Sequence, residues 1–225
     1  MGFLIYFILL LIIPIWAQMK VKSAYKKYSK VQSSSGMTGA QVARKILDDN
    51  GLYDVRIEEV QGKLTDHYDP RSKVVRLSTD NYYGTSVAGA AVAAHEVGHA
   101  MQDAEDYAFL RFRHALVPIA GFGSNISFFL ILAGILMGAT NLLLLGIVFM
   151  AAAVLFQVVT LPVEFNASSR AMEQVVSVGV IRNDEERETR KVLNAAALTY
   201  VAGALVALLE LARFILMYIG MNNDD

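Results

Sequence analysis

Four apolar stretches dominate the chain: residues 3–19, 115–140, 142–163 and about 193–221. Each is near or above the ~20 residues that cross a bilayer as a helix. A chain of 225 residues that is 55% hydrophobic is too apolar for an ordinary soluble domain. The first stretch carries no basic residue ahead of it and no small-residue cleavage site behind it, so it reads as an uncleaved anchor. The expectation is an α+β membrane protein with four transmembrane helices and a small polar domain.

Lysine and arginine set the orientation. Nineteen of the twenty lie in residues 20–113 or 170–191, and the twentieth, Arg213, is inside the fourth stretch. Both basic regions therefore belong in the cytoplasm, with the N- and C-termini outside. The expected segments are an anchor over 1–19, a cytoplasmic helix and sheet domain over 20–114, a transmembrane hairpin over 115–163, a cytoplasmic helix over 164–192 and a last span over 193–221. The five lysines of residues 20–30 fit a topology determinant beside anionic lipid. A net charge of −1 offers no basic face for nucleic acid.

The chemistry concentrates in His95-Glu96-Val97-Gly98-His99, which matches H-E-x-x-H. Residues four apart on a helix stand one turn above each other, so His95 and His99 can offer imidazole nitrogens to one ion. Glu96 can then reach a water on that ion and act as its base. With no cysteine, any zinc site must use histidine, carboxylate and water. The small apolar run before His95 predicts a buried helix, where a histidine needs a partner, and Thr85 or Ser86 would cap it.

Upstream, residues 38–50 read as a helix with a Thr38/Gln41 capping box and a closing Gly51. Residues 53–60 and 74–78 read as strands, with turn chemistry at 69–72. Such a sheet either pairs an edge strand with an extended substrate backbone or is a purely structural hairpin. His67 is either a transition-state hydrogen-bond donor, part of a second metal site, or a satisfied turn histidine. His114 reads as interfacial. Residues 172–181 continue as a helix, residues 182–191 are a charged loop or helix start, and Glu210 and Arg213 are spaced to pair within the last span.

A catalytic zinc usually takes three protein ligands. A third histidine in the metzincin pattern fails at Gln102 and Glu105. Asp103 and Asp106 suit the orientation of a ligand imidazole better than direct ligation, and Glu105 is the reserve ligand. No acidic residue lies between Asp106 and Glu164, so Glu164 is the first carboxylate after the hairpin. It is either the third ligand or an interfacial residue ending a span.

Glu164-Phe165-Asn166-Ala167-Ser168 resembles the E-F-x-A-D element that supplies the third ligand in the integral-membrane gluzincins, the HtpX-like peptidases. Residues 64–70, 93–102 and 161–171 together resemble the YugP-type neutral zinc metallopeptidases of bacteria, and the likeness covers nearly the whole chain. It implies a membrane-bound zinc peptidase with His95, His99 and Glu164 as metal ligands and Glu96 as catalytic base. Ser168 departs from the expected Asp. Arg170 then stands as an oxyanion or ligand-orienting group, or as a plain positive-inside arginine.

These readings converge on a Zn²⁺-dependent endopeptidase of the cell membrane. Its substrate is a polypeptide in or near the bilayer, and other membrane proteins are candidate partners. The rivals are a membrane adaptor with a structural metal site, which has no need of Glu96, and a transporter, which would show an inverted repeat of broken helices.

Overall fold

The computed structural model describes residues 2–182 and 184–223. The protein is mostly helical, with four long apolar helices and one small sheet. The long helices are α1 (Gly2–Tyr28), α5 (Ala108–Met137), α6 (Thr140–Ser177) and α7 (Glu186–Asn223), and each is long and apolar enough to cross a membrane. Between them lie α2 (Gly39–Asp49), β1 (Arg56–Val60), β2 (His67–Asp69), β3 (Val74–Ser78), α3 (Thr79–Tyr83) and α4 (Val87–Ala104). The chain separates into two units, one of Met1–Pro14, Ala108–Pro162 and Tyr200–Asp225, the other of Ile15–Tyr107 and Val163–Thr199.

The first unit wears its apolar side chains outward. Phe122, Phe128, Phe129 and Leu136 are 62% to 77% exposed. In water such a surface would aggregate, whereas in lipid it is the solvated face. Inside this unit Ile131, Leu143 and Ile147 form a small packed cluster. Glu210 and Arg213 do pair, at 3.0 Å, and the Tyr6 hydroxyl donates to the same carboxylate at 2.6 Å. The Glu210 carboxylate thus accepts from two helices.

The second unit has a conventional core. The capping box forms as expected: Thr38 Oγ1 accepts from the Gln41 amide, and Gln41 Oε1 accepts from the Thr38 amide. Gly51 closes α2 at φ 73°, a left-handed value that suits glycine. Val42, Ala43, Ile46 and Leu47 are fully buried along one face of α2, which packs on α4. Truncating either Ile46 or Leu47 to alanine would cost about 2–5 kcal/mol. α4 starts at a Ser86 cap whose hydroxyl accepts from Gly89 N at 3.0 Å. The buried Glu185 carboxylate accepts from Ser34 and from the Arg182 amide, tying the chain after α1 to the turn before α7.

The sheet differs from a hairpin. Its order is β1-β3-β2, with β1 parallel to β3 and β2 antiparallel to it. Strand β1 begins at Arg56 rather than at residue 53, because Tyr53 and Asp54 sit in the turn that follows α2 and the Lys73 carbonyl takes the Arg56 amide. Strand β2 and helix α3 are short elements that carry too few residues to show a period. β2 is an edge strand, which leaves one side of its backbone unpaired within the sheet.

Candidate metal centre

Helix α4 presents His95, Glu96 and His99, and helix α6 presents Glu164. The two helices touch where glycine permits it. A Cβ on Gly98 would lie 2.6 Å from the Ala167 carbonyl oxygen, so only glycine lets the backbones come this close. One turn from that contact, Glu164 is almost fully buried. His95 Nε2 is 3.3 Å and His99 Nε2 3.7 Å from Glu164 Oε2. The ligand atoms of these three residues all lie within 4.8 Å of one another. Ligands held at about 2.0–2.2 Å from a tetrahedral ion stand about 3.3–3.6 Å apart, close to the two imidazole–carboxylate distances here.

The hydrogen bonds around the cluster assign the His99 tautomer. Gln102, fully buried, donates from Nε2 to the Val163 carbonyl at 2.8 Å and to Asn166 Oδ1 at 2.9 Å. A carbonyl can only accept, so the amide orientation is fixed. Its Oε1 therefore accepts from His99 Nδ1, 3.0 Å away, which leaves the His99 Nε2 lone pair facing Glu164. Two acceptors cannot face each other without a cation between them. A proton on His99 can also fill that gap. Burial disfavours the His99 imidazolium, but the Glu164 carboxylate outweighs it and holds the His99 pKa up. On His95 the Nδ1 lies 3.2 Å from Ser168 Oγ.

Glu96 is buried beside the histidines. Burial raises its carboxyl above the ordinary range, and His95 and His99 oppose that rise. A carboxyl of raised basicity suits proton transfer near neutral pH.

Several expectations move. Asp103 accepts from the Tyr68 hydroxyl at 2.9 Å. The groups against the imidazole Nδ1 atoms are Gln102 and Ser168. Glu105, the reserve ligand, is taken by Arg170, whose two terminal nitrogens grip it at 2.7 and 2.6 Å. The guanidinium holds that carboxyl below its usual range. Arg170 also donates from Nε to Asn166 Oδ1 at 2.8 Å, so it reaches His99 only through Asn166 and Gln102. His67 is exposed on β2, with Nδ1 2.8 Å from the Thr65 carbonyl and Nε2 3.4 Å from Arg76. Its hydrogen bonds thus go to Thr65 and Arg76, and the described group that can hold an ion is His95, His99 and Glu164. Gln102 had one readable signal: it sits three residues after His99, on the same helical face.

A family profile described as "Putative neutral zinc metallopeptidase" matches residues 3–219. The chain belongs to this family. A protein of Bacillus subtilis strain 168, described as "Putative membrane protease YugP", is 57% identical over 210 residues and covers 93% of each chain. No solved structure matches the chain. Zinc is the family's metal, and the cluster of two imidazoles and a carboxylate has the chemistry to hold it. The four apolar helices and the relative's description agree on a multi-pass membrane protein.

Proposed function

We propose that the protein is a membrane-bound zinc endopeptidase that cleaves polypeptides in or near the bilayer from the cytoplasmic side. The observation that carries this is the convergence of His95, His99 and Glu164 within one ion's reach, with Glu96 next to them on the same helix. His95 and His99 bind through Nε2 and Glu164 through a carboxylate oxygen. Zinc there supplies Lewis acidity, activating water and polarising the peptide carbonyl.

The remaining work falls to the chain. Glu96 removes a proton from the attacking water and delivers it to the leaving amide nitrogen as the C–N bond breaks. Gln102 and Ser168 keep each imidazole turned with Nε2 toward the ion, and Arg170 stiffens Gln102 through Asn166. The free edge of β2 offers backbone groups to an extended substrate. His67, on that edge, serves substrate contact rather than metal binding. Residues 20–114 and 164–192 form the cytoplasmic part, and the termini lie outside; Asp225 falls outside the described residues.

The test is a matched pair, wild type and Glu96→Gln, in the same detergent. Zinc stoichiometry should be equal, and hydrolysis of a casein-type substrate should fall about 100- to 10,000-fold. Equal zinc with equal turnover would refute the mechanism and favour an adaptor with a structural metal.

A further inference from the structure

Away from the metal cluster, the second unit holds a polar cavity of about 900 Å³. Lys22 and Lys26 line one wall, four residues apart and so about 6 Å apart along one face of α1, and Lys30 joins them from the turn that follows the helix. Lys63, from the loop between β1 and β2, and the Ser86 cap of α4 contribute to the lining as well. The backbone around it is fixed: Gln32 bridges to Ser86, and the Val87 amide donates to the Val31 carbonyl at 2.9 Å. Asp80 is the one acidic side chain in the lining. Among the described residues, none of the four lysines forms an ion pair, although Lys73 and Arg170 elsewhere do. Four ammonium groups sharing one cavity against one carboxylate repel each other, and an anion would relieve this.

The cavity's place says which anion. Gln18, the lining residue nearest the N-terminus, sits within a stretch of α1 whose apolar side chains are exposed: Ile15, Trp16 and Met19 are 56%, 49% and 65% exposed. An acyl chain lying along that face ends with its headgroup at Gln18. We propose that this cavity is a binding site for the phosphate headgroup of an anionic lipid. The site is distinct from the bulk attraction of a polybasic segment, because a fold-supplied lysine and a helix cap complete it from outside α1. It rests on the reading that α1 spans the bilayer, and it is independent of the peptidase reading.

The test uses the purified full-length protein in zwitterionic micelles, titrated with short-chain phosphatidylglycerol, short-chain phosphatidylcholine or inorganic phosphate. Bound lipid is counted by native mass spectrometry, and Trp16, the only tryptophan, reports by fluorescence. Wild type should bind one phosphatidylglycerol saturably and no phosphatidylcholine. Lys22→Gln, Lys26→Gln and Lys63→Gln combined should weaken that binding about 100-fold. Lys20→Gln, Lys27→Gln and Lys45→Gln, an equal charge change outside the cavity, should leave it within threefold of wild type, about 0.7 kcal/mol. Arginine at 22, 26 and 63 should retain it. Equal loss in both glutamine triples would reduce the effect to general electrostatics and overturn the site. Binding of free phosphate as tight as that of the lipid would overturn the lipid assignment. So would displacement of the lipid by an acidic peptide, which would make the cavity a substrate subsite.

Discussion

Each imidazole in the cluster meets a hydrogen-bond partner at Nδ1, the nitrogen that faces away from Glu164. Gln102 does this for His99, and its amide is locked by acceptors on α6. Replacing it by leucine keeps the size and removes the three bonds. Gln102→Leu should then lower zinc affinity about 10- to 100-fold, as loss of such outer partners does in other metal sites. Chelator competition measures this. Unchanged affinity would mean that packing alone sets the His99 ring.

At the scale of elements, α4 and α6 meet through Gly98. Alanine is a better helix former than glycine by about 1 kcal/mol. Against this stands a Cβ pressed onto the Ala167 carbonyl, which is backbone and cannot rotate aside. Overpacking of this kind costs about 1–3 kcal/mol. Gly98→Ala should therefore destabilise the unit and, by moving α6 from α4, lower zinc occupancy well below that of wild type. Thermal melting with and without added zinc, alongside elemental analysis, reads both effects. A variant of higher melting temperature with full zinc would place the helix contact elsewhere. The helices themselves were legible. The capping residues Thr38 and Ser86 and the turn glycine Gly51 announced their ends, and the buried face of α2 followed from its period. The sheet was half legible, since a parallel β1–β3 pair depends on contacts that no local pattern records.

For the whole molecule, the arrangement of lysine and arginine predicts the orientation. Reporters fused after Lys30 and after Lys191 should read cytoplasmic, and one after Asp225 external. Cytoplasmic readings at all three would remove α7 as a span and leave Glu210 and Arg213 at an interface. The exposed phenylalanines of the first unit and the packed core of the second give the same division physically: one surface is solvated by lipid, the other by water.

The sequence by itself determined the chemistry available. His95, Glu96 and His99 follow from four-residue spacing on a helix, and a cysteine-free chain left histidine, carboxylate and water to complete a zinc site. Apolar run lengths marked four candidate spans, because crossing a bilayer takes a near-fixed number of helical residues. Tertiary structure decided which carboxylate comes within reach. Glu105 lies six residues from His99 yet is spent on Arg170, while Glu164, 65 residues away, lies beside both histidines. It also decided that Gln102 and Ser168 meet the Nδ1 atoms of the two rings. Spacing along one helix fixes which side chains share a face; which groups meet that face from another helix is set by packing, here by a glycine that lets two backbones touch.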